Sequence, residues 1–224
     1  MRDLKTWTGC ARPALVTLEG RYARLEPLDA ARHGDDLFVA ATKGYADERH
    51  RYLSVFTPKS RDEYGAWLNG AETHPDAVYS AAVDAATGRA LGRQSLMRID
   101  AANGVVEIGD IHWGPEMAGT RIATEAFFLH ATHIFDDLGY RRFEWKLNND
   151  NAPSHRAAKR FGFSHEGLFR QHMVIKGLNR DTAWYAMTDG DWPAIRRSFE
   201  NWLSPENFDS EGRQKRRLED FRAG

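Results

Sequence analysis

Three short groups of residues in this 224-residue chain are of types and spacings that could carry chemistry. The first is a lone carboxylate, Glu107, within the apolar run Val105-Val106-Glu107-Ile108-Gly109, where a strand would hold a poised general base. The second is Gly119-Thr120-Arg121-Ile122-Ala123-Thr124 at the start of a helical pattern. A glycine and a threonine at a helix start leave backbone N–H groups without intrahelical partners, and small residues let a phosphate approach them closely. The helix dipole adds only about 0.3–1 kcal/mol for an anion there, so the hydrogen bonds do most of the holding. It is not a P-loop, since no Gly-Lys-Ser/Thr follows, and it is not a GxGxxG fingerprint. The third group is Asn151-Ala152-Pro153-Ser154, where Asn151 can cap a second helix and Pro153 falls in its first turn. Taken singly, each group also fits a plain structural role: a capped helix after a strand, or a carboxylate on a solvated or ion-paired face.

Other reactive residues point elsewhere. Cys10 is the single cysteine, which excludes an intramolecular disulfide framework and a CxxC metal pair and suits a reducing cytoplasm. His130 and His133 stand three apart on one helix, but no third ligand of matching geometry is evident, so no metal is expected. With 31 Lys and Arg against 32 Asp and Glu, the formal charge is −1, which argues against direct nucleic-acid binding by counterion release. No run approaches a membrane span and the N-terminus has no apolar signal region, so no membrane is expected.

The elements that must position these groups follow from hydrophobic period and turn residues. Arg21 to Pro27 alternates as a strand, Asp29 caps a helix running toward Thr42, and Ser60 to Glu72 reads as a second helix. Val78 to Asp84, Ala90 to Ile99 and Val105 to Trp113 are strand-like and joined by short turns ending in Gly88 and Gly104, which predicts an antiparallel meander. A helical stripe from Ala123 to Leu138 stops at Gly139, a strand covers Phe143 to Leu147, and a helix from about Pro153 to Phe161 is closed by Gly162. Strand, helix, strand implies a parallel βαβ unit, whose two helix starts would open on one sheet edge where an elongated anion could lie. Strands near Phe163 to Val174 and Ala183 to Thr188 precede a helix from Asp191 to Leu203. The reading is one mixed α/β domain over 21–203, with an N-terminal extension over 1–20 and a charged C-terminal tail over 204–224 that is either loosely held or a peripheral helix.

Five motifs in order then carry a resemblance. They are Val106-Glu107-Ile108-Gly109; Ala118-Gly119-Thr120-Arg121-Ile122-Ala123-Thr124-Glu125-Ala126; Leu138-Gly139-Tyr140-Arg141-Arg142; Asn151-Ala152-Pro153-Ser154; and Arg160-Phe161-Gly162-Phe163, with Glu166-Gly167 after. On these the chain resembles the GNAT superfamily of acyl-CoA-dependent N-acyltransferases, and within it the RimJ/RimL-like branch. The resemblance implies a GNAT fold, in which a mixed sheet, antiparallel meander then parallel βαβ strands splayed at the CoA site, is flanked by helices. It implies direct attack of a primary amine on the thioester of acetyl-CoA. The acceptor would be a protein N-terminus or a small-molecule amine, and the protein a monomer or homodimer.

The same resemblance implies the site. Glu107 would be the base, directly or through a water, with Asp110 as the alternative, and a backbone N–H around Ile111 to Trp113 would stabilise the oxyanion. Ser154 would serve the leaving thiolate, with Tyr185 as a second candidate. His112, Trp113, Gly119, Thr120, Arg121, Ile122, Ala123, Thr124, Asn151 and Ser154 would contact the cofactor, and Arg156 or Lys159 could reach phosphate. Arg121 departs from the family loop by standing where a second glycine is common. An α-amine of pKa about 7.7–8.0 needs less help to become neutral than a lysine near 10.4. Two readings compete with acetyl transfer: another donor such as succinyl-CoA, or a non-catalytic CoA-binding module on the same fold.

Overall fold

A computed structural model describes residues 4–222. Its middle layer is an eight-stranded sheet of order β1-β2-β3-β4-β5-β6-β8-β7. The strands are β1 (Leu18–Glu19), β2 (Ala23–Pro27), β3 (Val78–Asp84), β4 (Ala90–Asp100), β5 (Val105–Trp113), β6 (Arg142–Asn148), β7 (Ser164–Ile175) and β8 (Leu178–Thr188). The α-helices are α1 (Ala30–Thr42), α2 (Ala46–His50), α3 (Arg61–Glu72), α4 (Arg121–Thr132), α5 (Ala152–Phe161) and α6 (Trp192–Leu203). Strands β3 to β5 form the expected antiparallel meander, β2 lies antiparallel beside β3, and β5 runs parallel to β6 through α4.

Strand alternation divides the core between two helical layers. On β3, Tyr79, Ala81 and Val83 pack with Leu37, Tyr64 and Leu68 of α1 and α3, whereas Ala82 packs with Ala123 and Ala126 of α4. On β5, Val106 and Ile108 join the aromatic core around Phe127, Phe143, Phe161 and Phe199. Phe127 stacks on Phe161 with ring centroids 4.4 Å apart, which locks α4 to α5 and so fixes the two helix starts relative to each other. Glu107, one residue out of phase with Val106 and Ile108, therefore belongs to the opposite face.

Several elements differ from the sequence expectation. The pair β1, the short helix α2 and a π turn over His133–Asp137 were not anticipated; the π turn keeps Ile134 and Phe135 buried, so the apolar stripe runs on past the end of α4. Strand β8 begins five residues before Ala183, because Lys176 and Gly177 both take positive φ and close a two-residue hairpin. The far end of that hairpin is largely exposed on both faces, so no apolar alternation announces it.

Over its described part the C-terminal segment, expected as a loose tail or a peripheral helix, is packed and includes a 3-10 turn over Leu218–Phe221. Leu218 is fully buried, Asn207 donates to the carbonyls of Trp202 and Arg216, and Trp202 Nε1 donates to Gln214 Oε1 at 2.8 Å. Arg222 donates to the carbonyls of Lys159 and Arg160, the C-terminal turn of α5. Charge content misled here: the charged side chains face out while the turns bury their few apolar and amide groups. Residues 1–3 and 223–224, the outer ends of the extension and the tail, lie outside the described residues. Among the described residues no helix is long and apolar enough to cross a membrane.

His130 and His133 are both engaged within the fold. Gln94 Nε2 donates to His130 Nδ1 at 3.0 Å, which leaves Nε2–H to donate to Ser80 Oγ at 3.3 Å, while His133 pairs with Asp137. Burial pushes the His130 imidazole down to about 3. In the unfolded chain an imidazole takes up its proton near 6.5, so below that pH the unfolded state binds the extra proton and stability falls. From about pH 6.5 to 3 this group alone costs about 1.4 kcal/mol per pH unit. Urea unfolding between pH 7.5 and 5 is expected to show this loss, and His130→Gln to remove about one proton from the slope.

Candidate active site

The ladder between β5 and β6 holds only from Val105↔Arg142 to Glu107↔Glu144, after which the strands part. The parting begins at Glu107 and is widened by a bulge on β5. Arg93 pairs with His112 and Ser95 with Gly109, so β5 carries one extra residue there, and Asp110 takes a φ of 45°. Ser95 Oγ and Arg93 Nη1 donate to the carbonyls of Gly109 and Asp110 at 2.9 and 2.7 Å, which holds both carbonyls toward β4. An added Cβ at Gly109 would stand 2.5 Å from Met97 Sδ, so a larger residue there requires the Met97 side chain to shift. The opening is a cleft of about 250 Å³ lined from β5 by Glu107 to Ile111, from β6 by Trp145 to Asn148, and from α5 by Asn151 and Ser154.

Glu107 is 3% exposed, and its two carboxylate oxygens differ. Oε1 accepts from Arg98 Nη1 at 2.7 Å. Lys146 Nζ stands 2.9 Å from Oε2, yet out of line, so Oε2 is a buried acceptor without an aligned hydrogen bond. Arg98 reaches Glu107 because a second bulge, on β4, gives it a φ of 47°. Lys146 is held from above by the Trp184 ring, 3.8 Å from its centroid, and by Glu144 at 2.7 Å. Asp110 is committed instead to the fully buried Arg93 at 2.8 Å and accepts from Tyr79 Oη at 3.0 Å. Burial and the Asp110 charge push the Tyr79 phenol up, which keeps it a donor.

The helix starts are built as expected. Thr120 caps α4 by accepting from Ile122 N, and the preceding turn is tight, with Gly119 at a φ of 78° and open space where a side chain would be. The first-turn N–H groups of Arg121 and Ala123 have no intrahelical partner by helix geometry. Asn151 Oδ1 caps α5 by accepting from Ser154 N, leaving its amide N–H₂ as donor. Ser154 Oγ accepts from Trp145 Nε1 at 2.9 Å, which leaves its own O–H free to donate.

Other expected residues lie elsewhere. The Arg121 guanidinium stacks over the Tyr22 ring at 4.3 Å. The His112 ring is buried against His50 at 4.5 Å, pushed well below its usual range by burial and by Arg93, and Trp113 Nε1 donates to Gln94 Oε1. Tyr185 is buried, and its phenol meets His155 Nδ1 at 2.8 Å; His155 Nε2–H donates to the Asn149 carbonyl, so the Tyr185 proton is directed at Nδ1. Arg156 is exposed, and Lys159 sits on the last turn of α5, away from its start. The arginine that does reach the first turns of α4 is Arg160, which donates to Thr124 Oγ1 at 3.1 Å. Its place in the run Arg160-Phe161-Gly162-Phe163 was visible, but its direction depends on the α4–α5 packing.

Two parallel strands that part beside a buried carboxylate, with capped helix starts at the opening, match the arrangement that the resemblance to the GNAT superfamily implies. A family profile described as "Acetyltransferase (GNAT) domain" matches residues 24–164, and the chain belongs to that family. It is similar to the curated protein "Putative ribosomal N-acetyltransferase YdaF" of Bacillus subtilis, 30% identical over 173 residues, 77% of this chain and 86% of that one. Among solved structures it resembles a GCN5-related N-acetyltransferase from Brucella melitensis at 51% identity and a TM-score of 0.97, covering 99% of this chain and 100% of that one. A GNAT-family acetyltransferase structure from Chromobacterium violaceum matches at 35% identity and a TM-score of 0.80, over 86% and 96% of the two chains. The protein is thus an N-acetyltransferase of the RimJ/RimL-like branch, whose family uses acetyl-CoA and an amine acceptor.

Proposed function

We propose that this enzyme transfers the acetyl group of acetyl-CoA to the α-amine of a protein N-terminus, by direct attack through a tetrahedral intermediate. The observation that carries the reading is Glu107, a buried carboxylate that lines the cleft and whose Oε2, ion-paired with Lys146 at 2.9 Å, accepts no aligned hydrogen bond. An amine or a water entering the cleft would supply that hydrogen bond. Glu107 then takes the proton released as the amine attacks the thioester carbon, directly or through that water. An α-amine suits such a base, because at neutral pH a useful fraction of it is already unprotonated. The likeness to a protein named for ribosomal N-acetylation supports a protein N-terminus over a small amine.

The first turns of α4 and α5 offer the donor-binding groups. N–H groups after Gly119 and Thr120 would hold the pyrophosphate, with Arg160 close behind at Thr124. The Asn151 amide would meet the pantetheine chain, and the free Ser154 O–H would donate to the departing sulfur. The oxyanion is assigned to a main-chain N–H just past the β5 bulge, at Ile111 to Trp113. A thiol-release assay with acetyl-CoA and a panel of peptides and amines tests the reading. Turnover of peptides with free N-termini, lost when the N-terminus is blocked, is expected; tight CoA binding without turnover of any amine would sink it.

A further inference from the structure

The cleft is more cationic than its ion pairs require. Arg49, Arg98, Lys146 and Arg180 line it against two carboxylates, Glu107 and Asp110. Asp110 is committed to Arg93, and Glu107 serves Arg98 and Lys146. Arg180 has no such partner. Its Nε donates to Thr182 Oγ1 at 3.2 Å, and among the described residues no carboxylate stands within ion-pair distance of its guanidinium. Burial acts most against its charged form; the Glu107 charge favours that form in part, and the like charge of Arg98, a smaller effect, opposes it. A half-buried cation beside a second guanidinium is costly until an anion joins them.

The position suits an anion carried by the acceptor. Thr182 is the β8 residue paired with Asn148, the last residue of β6, so Arg180 lies two residues beyond the end of that ladder and overhangs the opening. It borders the cleft that holds Glu107 and, on the α5 side, Asn151 and Ser154. Consecutive Cα atoms are about 3.8 Å apart, so the first two side chains of a peptide fall within roughly 4–8 Å of its amine, inside this same cleft.

Building on the N-terminal reading, we propose that Arg180, with Arg98 beside it, is a specificity-determining residue that binds a carboxylate next to the reacting amine. The preferred acceptor is then a peptide N-terminus with Asp or Glu at its first or second position. The test is kcat/KM for three peptides identical except for Glu, Gln or Lys at position two, on the full enzyme and on Arg180→Gln, Arg180→Lys and Arg180→Glu. The full enzyme is expected to favour Glu over Gln by about tenfold or more, as a charge-assisted hydrogen bond allows, and Lys least. Arg180→Gln should bring the Glu to Gln ratio to about one, chiefly through KM, Arg180→Lys should keep part of it, and Arg180→Glu should turn the preference toward Lys. Equal turnover of all three peptides by the full enzyme, or one unchanged ratio across the variants, overturns the assignment and leaves N-terminal acetylation standing. No turnover of any peptide, with small amines acetylated, overturns both.

Discussion

Glu107→Gln is expected to lower kcat on a peptide acceptor by about 10²–10⁴ at pH 7, the range a positioned general base supplies. The amide keeps the shape of the carboxylate, so the cleft stays open, but it can no longer take the amine's proton. The deficit should shrink above pH 8, where an α-amine of pKa about 7.7–8.0 is mostly neutral on its own. Because Arg98 and Lys146 stand beside Glu107, the variant also leaves two cations less well compensated. Measuring CoA affinity and thermal midpoint alongside the pH–rate profile separates the two effects, since lost compensation lowers stability but does not give a deficit that fades with pH. Full activity at pH 7 would remove Glu107 from the role of base.

Asp110→Ala is expected to do something different. Arg93 has no exposed surface, and its Nη1 holds both the Asp110 carboxylate and the Asp110 carbonyl, with the guanidinium 4.0 Å above the Trp67 ring. Removing the carboxylate strands a buried guanidinium, for which the cost is about 3–5 kcal/mol. Denaturant unfolding should show that loss, and assays well below the thermal midpoint should retain measurable turnover. A stable Asp110→Ala protein with no turnover would instead move the base from Glu107 to Asp110. The two carboxylates differ in their surroundings: Asp110 is ion-paired to the buried Arg93 that holds the bulge, whereas Glu107 lines the cleft between Arg98 and Lys146, and its Oε2 accepts no aligned hydrogen bond.

The contrast between these two residues shows where sequence reading succeeds and where it stops. The Glu107 strand, the Gly-ending turns of the meander and the caps at Thr120 and Asn151 were legible, because each rests on local rules of period and capping. Equally legible was the order of strand, helix, strand that makes β5 and β6 parallel. The surroundings of Glu107 were not legible. Arg98 and Asp110 adopt positive φ without being glycine, and nothing in an arginine or an aspartate announces a bulge. Each bulge shifts register by one residue and so decides which side chains meet across strands. Arg160 at Thr124, the β7–β8 overhang that carries Arg180, and the docking of residues 204–222 are likewise matters of packing between elements far apart in the chain. The near-zero net charge concealed a local surplus of positive charge in the cleft, because balance over the whole chain says nothing about one concave surface.

The most direct test of the account is to map the acetyl group on the product. After incubation with acetyl-CoA, a peptide containing both a free α-amine and an internal lysine would be fragmented in a mass spectrometer. A single acetyl group on the α-amine, with the lysine unmodified and one thiol released per product, is the predicted result. Acetyl on the lysine side chain with the α-amine untouched would contradict it.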